Sequence, residues 1–391
     1  MNILFVNHLS PSSASFLRQQ GLGSELAIGG HKVSYLARSP PRLAKGIADS
    51  RYFPTNITFW DEPLERSMVQ NTAKLMRVSK DFELIHVNKA NPFTSTLLFP
   101  AKFLAGKRVV MDWEDWDGVG GFISLAKKNI ASRFALGFFE EVVPPSCDSI
   151  IAVSNILVER AEKKGIPSDR IFYVPNGFDE KLFDPRISGR GLRDAYDLGS
   201  KPLILLLSAL HSFEGENFTK ILEAVSYVVK RIPQSTLILA GKGDIEQIFS
   251  QANYLGIRKN IVYLGHLPHS KIPEVISAAD VAVHILSDNI YFRSSSPMVV
   301  PEFMAMGKPI VASNVGELRN MLGDGAGVLV NDRFGQTFGK AILELLNDPD
   351  ASRKIGLKAL ERARARYSYK ILASKAEEAY KKALRLPRYL N

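Results

Sequence analysis

The sequence predicts an α/β protein made of two doubly wound domains, each on a parallel sheet. Three observations carry that expectation. At 391 residues the chain is long enough for two domains of roughly 150–200 residues, each with its own core. It opens with a strand, a loop of small residues, a helix, a Gly-Gly stop and a second strand, the order that makes a sheet parallel. A fully buried strand at residues 202–208 then restarts the alternation. Composition agrees, since 46% apolar and 23% charged residues describe an ordinary globular chain.

Taken in order, residues 2–7 are the first strand, 8–15 a loop and 16–28 a helix. His8 stands at the end of that strand, and Ser12 and Ser13 lie at the carboxyl edge where open parallel sheets bind ligands. Residues 83–87 form a later strand with Asn88 at its carboxyl end, and residues 108–112 another. The loop that follows is unusual: residues 112–117 hold four carboxylates and two tryptophans. Glu114 and Asp115 suit hydroxyl groups, and Trp113 and Trp116 suit the face of a sugar ring; an acidic turn is the plain alternative. Contiguous acids without a nearby His are a weak metal signal, and no metal is expected.

Residues 122–139 read FISLAKKNIASRFALGFF, an amphipathic helix with Lys127, Lys128 and Arg133 on it. It fits either interfacial membrane binding or a core helix, with residues 140–147 breaking it. A strand at 148–155, a helix at 156–164 and residues 171–179 close the first domain. The polar, glycine-containing residues 188–201 read as a linker. Beyond the strand at 202–208 come a loop at 209–217, a helix at 218–231 and a strand ending in Gly241-Lys242-Gly243-Asp244. Strands at 261–267 and 280–284 lead to residues 294–318, and His284 there reads as a core residue. Helices at 338–347, 351–366 and 369–385 finish the chain. The domains are therefore expected at 1–187 and 202–366, with 367–391 as a final helix.

Residues 294–318 join a serine-rich turn to a short helix with one carboxylate, Glu302, stopped by Gly307 and Pro309. Pro301 is tolerated only in a first turn, so the helix begins near Val300 or kinks there. A helix start after small residues suits a phosphate, and an acid one turn in suits ribose hydroxyls. A solvent-facing Glu is the plain alternative.

The run PEFMAMGKPIVAS-NVGEL at 301–318 resembles the signature of the large retaining glycosyltransferase family built as two facing Rossmann-like domains, the GT-B architecture. GGHKVSYLA near the start, AVSN at 152–155 and VPNGFD at 174–179 with Phe183 are similar to the same family. The resemblance covers nearly the whole chain. It implies a donor nucleotide-sugar on the second domain, an acceptor on the first, a cleft between them, and a last helix packed back on the first domain. Glu302 stands where the family's helix Glu holds the ribose. The second Glu, expected eight residues upstream, is Ser294, and a Lys common three residues before Glu302 is Val299. The Arg and Lys that clamp the pyrophosphate are absent from residues 209–217, where Glu214 precedes the glycine. His211 and Lys242 are then candidate donor contacts, and Arg293 the candidate relocated cation. Ser294, Ser295 and Ser296 would meet the diphosphate with their backbone N–H groups. Glu114 or Asp115 stands where relatives carry a His that contacts sugar or acceptor. His8, Asn88, Trp113 and Trp116 are the candidate acceptor contacts.

The implied reaction moves a sugar from the nucleotide-sugar to a sugar, glycolipid or lipid-linked glycan with retention, without metal or other cofactor. The rivals are a phosphorylase-like or hydrolytic enzyme of the same fold, and a non-catalytic homologue that binds a nucleotide or a partner. Net charge is +10, and residues 345–391 hold twelve Lys and Arg against five Asp and Glu. That basic end suits an anionic membrane face or is simply solvated; no nucleic-acid motif accompanies it. The single cysteine, Cys147, admits no internal disulfide and has no His beside it to activate it, so a packed thiol is expected. Residues 1–7 lack a basic leader, so the expected location is the cytoplasm, with the basic helices at the inner membrane face.

Overall fold

The structure is a computed structural model and describes residues 1–7, 9, 13–38, 57–60, 68–125, 129–210 and 214–387. His8, Ser12, Lys127, Lys128 and His211 lie outside the described residues. The chain divides into two compact units: residues 1–177, 294–296 and 369–391, and residues 178–293 and 297–368.

Unit 1 is built on a parallel seven-stranded sheet of order β3-β2-β1-β4-β5-β6-β7. Its strands are β1 (Asn2–Asn7), β2 (Lys32–Arg38), β3 (Ile57–Trp60), β4 (Leu84–Asn88), β5 (Arg108–Trp113), β6 (Ser149–Ala152) and β7 (Ile171–Tyr173). β1, β4, β5 and β6 are buried almost throughout, as parallel strands covered on both faces must be. One face is covered by helix Ala14–Ile28 and the final helix Tyr369–Arg385, whose buried face is Tyr369, Leu372, Ala373, Ala376, Ala379, Tyr380 and Ala383. Gly21 makes that pairing fit: a Cβ there would lie 2.3 Å from the Tyr369 ring.

Unit 2 is built on a parallel six-stranded sheet of order β10-β9-β8-β11-β12-β13. The strands are β8 (Leu203–Leu207), β9 (Thr236–Ala240), β10 (Ile261–Tyr263), β11 (Val281–His284), β12 (Ile310–Ser313) and β13 (Val328–Val330). Burial pushes His284 down to about 4, which keeps it neutral within the sheet.

Three expectations need correction. The single helix expected over 122–139 is two pieces, Phe122–Leu125 and Ile130–Ser146. The second starts at an Asn129 cap that accepts from the Ser132 N–H and runs through Pro144 and Pro145 instead of breaking at 140. Pro144 and Pro145 lie in its last turn, where each takes one N–H out of the i→i−4 ladder and the helix ends directly after them. The helix is also not a core helix along its length: Ile130, Phe134 and Phe138 are 87%, 75% and 51% exposed. Finally, residues 188–201 contain helix Arg190–Ala195, tied into unit 2 by Arg193, which donates to Ala278 O and to Asp280. Cys147 is buried, with its thiol pushed up to about 12 by burial.

Candidate active site

Unit 1 gathers its polar side chains at the carboxyl ends of β1, β4 and β5. Asp112, the fifth residue of β5, is fully buried and takes a two-pronged ion pair from Arg18, Nε to Oδ2 at 2.8 Å and Nη2 to Oδ1 at 3.0 Å. Arg18 also donates to Pro175 O, Val174 O and Asn176 Oδ1, so this one guanidinium ties the first helix to the VPNGFD loop. His86 Nε2 lies 3.3 Å from Asp112 Oδ2, and its Nδ1 is 2.8 Å from the Tyr380 hydroxyl. Burial alone would raise Asp112; the Arg18 charge, aided by His86, overrides it and holds the acid down at about 2. Asp112 is spoken for structurally.

Glu114, two residues on, differs. It is buried, and Ser15 on the first helix donates to its Oε2. Its Oε1 has no hydrogen-bond partner among the described residues. Burial pushes the carboxyl up to about 7, with Asp112 adding to the rise and Lys89, Ser15 and Arg18 opposing it. Asp115 instead forms an ion pair with Lys89. Ser13 caps the first helix, its side chain accepting from the Phe16 N–H at 3.2 Å. Asn88 is fully buried and donates to Asn7 Oδ1 at 3.1 Å.

Of the two tryptophans, Trp113 does not fit the part of a sugar platform, because it is only 1% exposed and belongs to the core. β5 is covered on both faces, so its last side chain is buried with the rest. Trp116 is half-buried, its ring covered by the Arg160 guanidinium at 3.5 Å from the centroid and its Nε1–H donated to Val119 O. The serines at 294–296 group with this unit. The Trp116 N–H donates to Ser294 Oγ at 3.3 Å, and Asn176 donates its N–H to Ser296 Oγ and its Nδ2 to Ser296 O. Ser295 is half-buried.

In unit 2 the helix of the signature spans Val299–Ala305, which places Pro301 in its first turn. Glu302 is 3% exposed, so it is not a solvent-facing Glu; His269 Nε2 lies 2.7 Å from its Oε1. Gly316, in the loop after β12, has φ +50 and no room for a Cβ, which would stand 2.4 Å from Arg293 O. Arg293 is exposed and already ion-paired with Asp288, Nη2 to Oδ2 at 2.8 Å. The Gly241-Lys242-Gly243 turn crosses the end of β8, where a Cβ on Gly243 would be 1.9 Å from Leu210 O and the Leu210 N–H donates to the Lys242 carbonyl.

Glu214, in the place expected for a lysine, is pushed up to about 7 by burial, with the Ser208 hydroxyl 3.5 Å away. A carboxyl half protonated near neutral pH repels a diphosphate less than an exposed one would. The nearby cation that sequence reading passed over is Lys220 on helix Gly215–Val229, buried, with Nζ 3.3 Å from Ser287 Oγ and 2.7 Å from Glu216. Its position one to two turns inside the helix, past the motif, hid it. His269 was missed likewise, since 33 residues separate it from Glu302. Among the described residues no group of three or more His, Cys, Asp or Glu could hold a metal.

Residues 20–182 match the family described as Glycosyltransferase Family 4, and residues 201–348 that described as Glycosyl transferases group 1. The phosphatidyl-myo-inositol mannosyltransferase of Mycobacterium leprae is 26% identical over 318 residues, 80% of this chain and 76% of its own. The N-acetyl-alpha-D-glucosaminyl L-malate synthase of Bacillus anthracis is 23% identical over 382 residues, 93% of this chain and 92% of its own. The crystal structure of Anabaena HepE in complex with UDP matches with a TM-score of 0.76 at 18% identity, covering 97% of this chain and 100% of that one. With both halves matched and the two parallel-sheet units in place, the chain belongs to the retaining GT-B glycosyltransferases of group 1 and family 4.

Proposed function

We propose that this protein transfers a hexosyl group from a nucleotide-sugar to a hydroxyl of a sugar or lipid-linked acceptor, with retention of configuration. Unit 2 holds the donor and unit 1 the acceptor. The observation that carries the donor side is Glu302, buried in the first turn of the signature helix and held by His269, which suits a ribose diol. Lys220 and Lys242 supply positive charge for the diphosphate in place of the usual Arg and Lys pair. The bond from the anomeric carbon to the diphosphate oxygen breaks as the acceptor oxygen adds on the same face. Glu114, near half ionised at neutral pH, takes the acceptor's proton. No nucleophile on the protein is needed.

Thermal unfolding with UDP, GDP, ADP and their sugars tests the donor site. A ligand at a hundred times its Kd adds about 2.7 kcal/mol, and the base that raises the midpoint names the donor class. Glu302→Gln removes most of that shift. If none of the nucleotides raises the midpoint at millimolar concentration, a non-catalytic role replaces this reading.

The surface of unit 1 favours a lipid-borne acceptor. Helix Ile130–Ser146 exposes Ile130, Phe134 and Phe138 at spacings of one helical turn, and residues 122–139 carry three basic and no acidic side chains. An exposed apolar face on a stretch of sequence with basic and no acidic residues suits an anionic bilayer surface. No helix among the described residues is long and apolar enough to cross a membrane, so contact would be interfacial. The last two helices are the weaker candidate, because Lys381 pairs with Glu377 and Lys382 with Asp169. The full chain should sediment with phosphatidylglycerol vesicles and not with phosphatidylcholine ones. Phe134→Asp with Phe138→Asp should abolish sedimentation without lowering the unfolding midpoint; a chain indifferent to either vesicle sinks the idea.

A further inference from the structure

We propose that His269 is a positioning residue for the nucleotide-sugar donor, holding the Glu302 carboxyl in place as a hydrogen-bond acceptor for the donor's ribose hydroxyls. The proposal rests on the ribose reading of Glu302 given above. It explains how a buried acid can do that task.

A buried carboxyl needs a partner on the oxygen that it does not offer to a ligand. Glu302 is 3% exposed. His269 supplies that partner at 2.7 Å on Oε1, which leaves Oε2 for the ribose. The imidazole is held in turn. It starts the short turn His269–Lys271, directly after Pro268, and its ring packs at 58° to Phe183 with centroids 5.4 Å apart. Phe183 follows the VPNGFD loop, so one chain of contacts runs from that loop through His269 to Glu302.

The charged groups acting on the imidazole are Glu302 across the hydrogen bond and Asp179. Burial alone would lower its pKa; Glu302, with Asp179 adding, overcomes that and raises it above the ordinary 6.5. The folded state therefore keeps the His–Glu ion pair to higher pH than a free histidine would. Ribose affinity therefore declines as pH rises through the raised His269 value.

The test is calorimetric binding of UDP, GDP and ADP and of their 2′,3′-dideoxy counterparts, to the full chain and to His269→Ala, His269→Gln and Glu302→Gln. The wild type should prefer the best ribonucleotide over its dideoxy form. His269→Ala should weaken the ribonucleotide about ten- to a hundredfold and leave the dideoxy form unchanged. Combined with Glu302→Gln it should cost no more than Glu302→Gln alone, because the two act through one contact. His269→Gln, whose amide can still donate, should restore ribose preference and lose its pH dependence. Equal weakening of both ligand forms by His269→Ala would mean a merely structural residue and overturn the proposal, as would a pH dependence that survives His269→Gln. If Glu302→Gln abolishes ribose preference while His269→Ala does not, the ribose reading stands and the positioning role falls. If Glu302→Gln leaves the preference intact, or the wild type binds no nucleotide, the ribose reading itself falls.

Discussion

Asp112 and Glu114 are two residues apart on one strand end and titrate in opposite directions. Both are buried, so desolvation raises each; the difference is what stands opposite. Arg18 and His86 face Asp112, whereas a serine hydroxyl is the hydrogen-bond partner of Glu114. Asp112, held down at about 2, contributes stability that is present above the ordinary 3.8 and is lost as pH falls through the folded value. Glu114 behaves inversely. Between the ordinary 4.5 and about 7 the folded state keeps a proton the unfolded chain has released, so its contribution declines as pH rises through that window. Ionisation is also what a proton acceptor needs. Transfer rates measured across pH should therefore climb through about 7, and Glu114→Gln should erase that limb and lower kcat by about 10²–10⁴-fold. The same variant should be at least as stable as the parent above neutral pH, since a buried charge is gone. A fall in kcat accompanied by a fall in melting temperature would point to damage instead of lost proton transfer.

At the scale of elements, what decides the fold locally is where small residues let neighbours approach. The first helix and helix Tyr369–Arg385 meet at Gly21, over which the Tyr369 ring lies. Gly21→Val should push the final helix off unit 1 and lower stability by roughly 1–3 kcal/mol, read from urea unfolding. A neutral outcome would mean that the final helix shifts freely. Helix Ile130–Ser146 illustrates the opposite case, an apolar face left largely exposed among the described residues. Its periodicity was plain in the sequence, but periodicity cannot say whether an apolar stripe faces a core or a bilayer. Burial is a property of what packs against the stripe, and that comes from elements distant in the chain.

For the whole molecule, the division into two units implies that a donor nucleotide leaves an uneven footprint. Hydrogen exchange with the tightest-binding nucleoside diphosphate should gain protection in residues 178–293 and 297–368, around Glu302, His269 and Lys220, while the sheet of unit 1 is unaltered; protection centred on β1 and β5 would move the donor to the other unit. By itself the sequence determined both parallel sheets, nearly every strand, and the signature helix with Glu302, because those depend on short-range patterns of apolar runs, glycine and proline. It also marked Glu114 as a candidate acid. Only the tertiary structure decided which candidates were already engaged: Trp113 in the core, Arg293 on Asp288, Asn88 within the strand-end network. It alone brought His269 to Glu302 and Arg18 to Asp112 across 33 and 94 residues. The physical reason is that charge pairing and burial act over ångströms in space, and a parallel sheet places side by side strand ends that the chain keeps far apart.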